Sequence, residues 1–282
     1  MTLPHVRKPD WLKIRLRGNE QFRQTGRIVE SHGLHTICAS GRCPNRNECW
    51  SCGTATFLIG GEVCTRSCRF CNTPTGRPAP PDPSEPERVA ESIRLMGLRH
   101  AVVTSVDRDD LPDAGAAHWV QTIRCIRKQN PHTTLETLIP DFRGALEQVD
   151  RIIEAAPDII AHNLETVRRL TPHVRSAARY ATSLSVLARV ASQGLRAKTG
   201  LMVGLGETEQ EVEALMDDAL RAGVSILTVG QYLQPSRRNI PVAEYVSPQQ
   251  FDRYRRTALD RGFRHVDSGP LVRSSYHAGN IP

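Results

Sequence analysis

Residues 64 to 71 read Cys64-Thr-Arg-Ser-Cys68-Arg-Phe-Cys71, three thiols at C-x₃-C-x₂-C spacing just after the apolar run Thr56-Phe-Leu-Ile-Gly60. Thiols this close in sequence can converge on one metal centre. A structural zinc or an ordinary four-iron cubane takes four ligands, and no fourth Cys or His follows here at zinc-finger distance. A cubane held by three thiolates keeps one iron without a protein ligand, free to bind a small molecule. A zinc knuckle or a redox dithiol is the competing reading.

A second group precedes it: Cys38-Ala-Ser-Gly-Arg-Cys43-Pro-Asn-Arg-Asn-Glu-Cys49-Trp, three thiols at C-x₄-C-x₅-C in a loop rich in Gly, Pro and Asn. Cys52 follows closely. As a fourth ligand it would close the site and make it structural; otherwise the fourth ligand lies far away in the chain. Seven of the eight cysteines fall between residues 38 and 71. A secreted disulfide scaffold spreads its cysteines, so this clustering points to metal in a reducing compartment. Cys125 stands apart in the helical stretch Thr122-Ile-Arg-Cys-Ile-Arg and reads as a small core residue.

The elements that position these thiols follow from a repeated pattern of a β-branched run, a loop and an amphipathic helix. Strands are expected at 55–60, 99–105, 133–138, 157–162, 196–203 and 225–230. Ser84-Glu-Pro-Glu87 and Thr208-Glu-Gln-Glu211 read as capping boxes, and Ser247-Pro-Gln-Gln250 opens a further helix that stops before Gly262. Alternating strands and helices imply an α/β fold of parallel β/α units. Six units are too few for a closed eight-unit barrel. A doubly wound sheet is the plain alternative to an open partial TIM-type (β/α)₆ barrel. In either, functional groups gather at the carboxyl ends of the strands. The polar runs Thr104-Ser-Val-Asp107, His162-Asn-Leu-Glu165, Gly204-Leu-Gly-Glu207 and Gln231-Tyr-Leu-Gln234 sit there. Thr104, Ser105, Asn163, Glu165 and Lys198 are the small-molecule contacts this placement offers.

The expected organisation is an N-terminal arm carrying the first cysteine group (1–54), the partial barrel (55–265) and a C-terminal tail (266–282). Within the arm, residues 20–34 set Phe22, Ile28 and Val29 on one helical face. With 282 residues and 39% hydrophobic content, the chain can bury a full core without disulfides. The opening residues lack the apolar stretch of a signal peptide and no run approaches the roughly 18 apolar residues of a membrane span, so a cytoplasmic protein without a membrane role is expected. The net charge of +7 fits nucleic acid, an anionic cofactor or an acidic protein partner. Low aromatic content and scattered arginines argue against nucleic acid.

The C-x₃-C-x₂-C loop, with Phe70 before its last cysteine, resembles the signature of radical S-adenosylmethionine (SAM) enzymes. With Lys8-Pro-x-Trp-Leu-Lys13, the first cysteine group, Gly53-Thr-Ala-Thr56, Thr104-Ser-Val-Asp-Arg-Asp-Asp110, Glu136-Thr-Leu-Ile-Pro-Asp-Phe142, Lys198-Thr-Gly-Leu-Met-Val-Gly-Leu-Gly-Glu207, Gln231-Tyr-Leu-Gln-Pro-Ser236 and Arg273-Ser-Ser-Tyr276, most of the chain resembles the lipoyl synthase family. The first cysteine group is the discriminating motif. The resemblance implies two [4Fe–4S] clusters. Cys64, Cys68 and Cys71 would hold the one that binds SAM, beside Phe70. Cys38, Cys43 and Cys49 would hold an auxiliary cluster completed by Ser275. The implied reaction inserts sulfur from that auxiliary cluster at C6 and C8 of a protein-bound octanoyl group. No side-chain base removes hydrogen from such carbons, so a cofactor radical is required. Implied partners are octanoylated carrier proteins (lipoyl domains of 2-oxoacid dehydrogenases, the glycine cleavage carrier protein), a ferredoxin or flavodoxin donor, and an iron–sulfur carrier. Ala39-Ser40 depart from the acidic residues usual after the first auxiliary cysteine, and Cys52 is extra to the pattern. A biotin-synthase-like enzyme and a metal module docking nucleic acid are the alternatives.

Overall fold

β-Branched and aromatic runs, each followed by an amphipathic helix, build one eight-stranded sheet among the described residues of the computed structural model, which are 7–14 and 18–281. Of the opening stretch read as lacking a signal peptide, residues 1–6 lie outside the described part. The strands are β1 (His35–Thr36), β2 (Thr56–Ile59), β3 (His100–Ser105), β4 (Thr134–Leu138), β5 (Ile159–Ala161), β6 (Arg196–Val203), β7 (Ile226–Gln231) and β8 (His265–Gly269), side by side in chain order. β1 runs antiparallel to β2, and each neighbouring pair from β2 to β8 is parallel. One long helix lies in each crossover: Glu85–Leu95, Ala116–Gln129, Leu146–Glu154, Tyr180–Ser192, Glu209–Arg221 and Pro248–Arg261. The sheet does not close on itself, so the architecture is the open partial barrel.

All six expected strands form, but the parallel count is seven rather than six. The extra strand is β8, which straddles the expected boundary at 265/266. In its sequence His-Val-Asp-Ser-Gly only Val266 is buried, so no hydrophobic run marks it; backbone pairing with β7 makes it a strand. Helix starts follow side-chain capping. Thr208 and Glu211 form the reciprocal capping box, and Ser247 accepts from the Gln250 N–H. Ser84 does not cap its helix as expected. Asp82 instead accepts from both the Ser84 N–H and its hydroxyl, so the turn begins two residues earlier.

Strand residues alternate between two environments, as the period of two demands. Phe57, Ile59, Ala101, Val103, Leu227 and Val229 pack outward in the main core. Their neighbours Thr56, Leu58, Thr104, Thr228 and Gly230 point into the barrel lumen and line its cavity. The C-terminal segment crosses the open side of the barrel. Its Leu271 carbonyl accepts from Asn45 Nδ2 (2.7 Å), and Gly279 packs against His100 of β3. At Gly230 a Cβ would stand 2.2 Å from the Val272 carbonyl oxygen, so only glycine admits the segment there.

Gly230→Ala is therefore expected to push this segment off β7. Hydrogen exchange read by mass spectrometry should show faster exchange over residues 272–281, with β3 and β4 unchanged. Wild-type protection of the segment in the variant would contradict the close contact.

Candidate active site

The chain leaves β2 through Gly60 and Gly61, both at positive φ, and enters the cysteine loop. That loop closes on itself through Cys64 N–H to the Pro74 carbonyl (2.8 Å) and Gly76 N–H to the Cys64 carbonyl (3.0 Å). Arg66 fixes it to the rest of the barrel. Its guanidinium is buried and bridges Asp107 (3.2 Å), Asp109 (2.6 Å) and Asp141 (2.7 Å), which lie after β3 and β4. Backbone N–H groups of Arg66 and Asp107 point at Cys64 Sγ (3.4 and 3.3 Å), and Thr73 N–H points at Cys71 Sγ (3.4 Å). Such donors favour thiolate over thiol and are what cluster-bound sulfur receives. Without a metal, burial and then the Asp107 carboxylate push the Cys64 thiol up to about 12, and burial raises Cys68. Metal binding at these groups must release protons.

The first cysteine group assembles beside β1. Cys38 sits on the turn Ile37–Ser40, Cys43 in the loop after it, and Cys49 on the helix Arg46–Ser51. Burial pushes Cys49 up to about 12, with Cys38 and Cys43 each adding repulsion, and burial also raises Cys43. Cys38 packs with Trp50 and Ala55. The adjacent Thr56 hydroxyl donates to Ser275 Oγ at 2.8 Å, which brings the tail serine to this group. Tyr276 adds a bond to Glu48 (2.9 Å) on the helix that carries Cys49. Ser274 faces elsewhere, accepting from Asn163 Nδ2 at 2.8 Å. Cys52 is exposed and Cys125 packs against the core.

Both groups open onto one cavity of about 560 Å³, lined by Cys38, Cys43, Cys64, Cys68, Cys71 and Ser275 among others. That size is typical of small-molecule sites, about 300–1,000 Å³. Phe70, Thr104, Ser105, Asn163 and Glu165 also line it. Phe70 packs against the small core of Val174, Leu205, Tyr232 and Ile240, Thr104 donates to the Leu138 carbonyl (3.0 Å), and Ser105 accepts from Trp119 Nε1 (3.1 Å). Glu165 adopts a positive φ of 67°, held because its backbone N–H and carbonyl both bond to β6, at Gly200 and Met202 (2.9 Å each). Burial raises its carboxyl.

Lys198 is not brought there. It projects into the lumen two residues before the cavity liner Gly200, hence one layer deeper, and both Glu136 carboxylate oxygens accept from its Nζ (2.8 and 2.9 Å). Burial pushes Glu136 up, but Lys198 with His100 more than reverses this and leaves it below its ordinary value.

Three residues escaped sequence reasoning: Arg66, Asp141 and Arg175. Their contacts join loops far apart in the chain, which no local pattern signals. His162 is fully enclosed between the Ile139 carbonyl and Ser183 (2.9 Å each), and burial pushes it down to about 4, so it is neutral. Arg175 bonds the Asn163 carbonyl (3.2 Å) and Ser183 (2.9 Å). Its Nε and the Asn163 Oδ1 are buried without a partner, and both residues line the cavity. Orphaned buried polar atoms at a cavity wall fit a polar ligand.

Residues 58–219 match the Radical SAM superfamily, which places the chain in that class. Streptococcus suis SuiB, seen in a crystal structure with its precursor peptide SuiA, shares the fold with a TM-score of 0.59 at 10% identity, over 88% of this chain and 52% of its own. The lipoyl synthase of Parabacteroides distasonis is 70% identical over 97% of this chain and 98% of its own length, and that of Porphyromonas gingivalis 67% identical over 97% and 98%. The chain belongs to the lipoyl synthase family. It is a radical SAM enzyme of lipoate biosynthesis, with SAM and a [4Fe–4S] cluster as cofactors and a lipoyl-domain protein as substrate. The reading as a non-enzymatic metal module falls. Among the described residues no helix is long and apolar enough to cross a membrane.

Two substitutions separate scaffold from ligand contact. Lys198→Met leaves buried Glu136 without its ammonium partner and with only His100 at 3.7 Å beside it, and breaking a buried pair in this way costs about 3–5 kcal/mol. A large drop in the denaturant midpoint with unchanged SAM affinity is expected; weakened SAM binding at wild-type stability would return Lys198 to the ligand set. Arg66→Met strips the cation from three carboxylates and should lower both Tm and iron content. Normal iron incorporation would contradict its role in holding the cysteine loop.

Proposed function

We propose that the enzyme inserts two sulfur atoms, at C6 and C8, into an octanoyl group carried on a lysine of a lipoyl carrier protein. The observation that carries this is the shared cavity: Cys38 and Cys43 of the first group and all three thiols of the second line one space, so a substrate carbon can meet both centres without leaving it. Cys64, Cys68 and Cys71 hold the SAM-binding cluster, and Cys38, Cys43 and Cys49 with Ser275 hold an auxiliary cluster. The Thr56 hydrogen bond to Ser275, and the turn of Ser274 toward Asn163, support this choice of serine. The exposure of Cys52 argues against a fourth thiolate. When bound, SAM and its cluster supply the radical that abstracts hydrogen, and the auxiliary cluster supplies sulfur.

The chain's own contribution is positioning and exclusion of water. Asn163 Oδ1 and Arg175 Nε offer unused polar contacts to the amino-acid part of SAM. Ile37, Leu138, Leu201 and Met202 give the octanoyl chain an apolar wall. The chain divides into arm, barrel and tail, with β8 carrying the barrel on to Gly269 and both terminal segments serving the auxiliary centre. An iron–sulfur carrier and a ferredoxin or flavodoxin donor complete the proposed partners, in the cytoplasm.

Ser275→Ala should still form 5′-deoxyadenosine from SAM, while lipoyl product falls about 10–100-fold, the scale on which metal sites lose function when their support is disturbed. Cys52→Ala and Ser274→Ala should retain product formation. Anaerobic assays with iron and sulfide counted in each variant decide it. An inactive, iron-depleted Cys52→Ala beside a fully active Ser275→Ala would overturn the ligand assignment.

A further inference from the structure

The cavity meets solvent at a basic rim. Of the described residues that line it, the exposed ones are Lys8, Ile14 and Arg42. Lys8 and Ile14 flank the turn Asp10–Leu12, where Leu12 is buried as a cavity wall while Trp11 and Ile14 are 44% and 43% exposed. Arg42 Nη1 donates to the Pro235 carbonyl at 3.1 Å, tying the first cysteine group to the loop after β7. The next cations on that loop, Arg237 and Arg238, are also exposed. Many surface arginines elsewhere are spent on neighbours, such as Arg94 on Glu91, Arg169 on Glu211 and Arg189 on Asp150. Among the described residues, Lys8, Arg42, Arg237 and Arg238 form no ion pair, whereas Lys13 pairs with Asp10, and Arg23 and Arg27 with Glu20.

We propose that this rim docks an acidic face of the carrier protein that presents the acyl chain, an inference that rests on the octanoyl-carrier reading above. An acyl group on a lysine arm is attached to a folded body. When the chain enters the cavity, that body must stop at the mouth. The mouth presents cations without counter-charges, which favour carboxylates on the incoming surface and repel a basic one. Trp11 and Ile14 add apolar contact of the kind found at interface centres.

The test is the double charge reversal Arg237→Glu with Arg238→Glu, which touches no cavity-lining residue. Dithionite serves as reductant, so no donor protein is involved. The substrates are an octanoylated lipoyl domain and a short neutral octanoyl-lysyl peptide. The variant's KM for the domain should rise about tenfold at low salt, with kcat nearly unchanged and the peptide KM unaltered. Wild-type KM for the domain should rise with ionic strength, and that slope should flatten in the variant. An unchanged domain KM, or equal shifts for domain and peptide, overturns the docking proposal. So does a loss that appears only in a parallel assay where flavodoxin replaces dithionite, which would give the rim to the electron donor. If the wild-type protein converts neither substrate, the octanoyl reading itself fails, and the docking proposal with it.

Discussion

Arg66 stands between Cys64 and Cys68 and buries its guanidinium against three carboxylates from two other loops. A buried cation of this kind is tolerated only where its partners satisfy it, so loop and partners constrain one another. Burial pushes Asp141 up, and Arg66 more than offsets that, leaving the carboxyl below its usual range. The same contacts set Asp107 so that its backbone N–H meets Cys64 Sγ. A loop of eight residues without regular structure thereby holds three thiols against the carboxyl ends of the strands.

The open side of the barrel is the second constraint. A seven-strand parallel sheet that does not close leaves its lumen accessible from the side, and both chain ends are used there. The N-terminal arm supplies β1, antiparallel to β2, together with the first cysteine group. The C-terminal segment crosses from β8 toward β2 and β3, passing over Gly230 and reaching Thr56. Residues more than two hundred positions apart meet in this way, as in Asn45 with Leu271 and Glu48 with Tyr276. Incompleteness of the barrel is what lets a second thiol group share the cavity with the first.

Much of this was legible in the sequence, for reasons that differ by residue. Each thiol group is local in the chain, so spacing alone grouped its members. The six strands announced themselves because parallel strands covered by helices need continuous apolar runs, as in Thr56–Ile59 and Ile226–Gln231. β8 lacks such a run, so its sequence reads as tail. Nearness to a strand end suggests Lys198 as a contact, but depth in a barrel follows the alternation of side chains and the layer. Its layer holds Glu136, a partner 62 residues away. Arg66, Asp141 and Arg175 were missed because charge hubs between loops leave no periodic trace. Ser275 came from resemblance to a family motif, since a serine in a tail carries no signal of its own.

The central claim is that the group formed by Cys38, Cys43, Cys49 and Ser275 carries the sulfur that is transferred. The most direct measurement loads the apoprotein anaerobically with iron and ³⁴S-sulfide, removes free sulfide and runs a single turnover on an octanoylated lipoyl domain in natural-abundance buffer. Mass analysis of the lipoyl-lysyl peptide should then show ³⁴S at both positions. Product carrying natural-abundance sulfur would contradict the account.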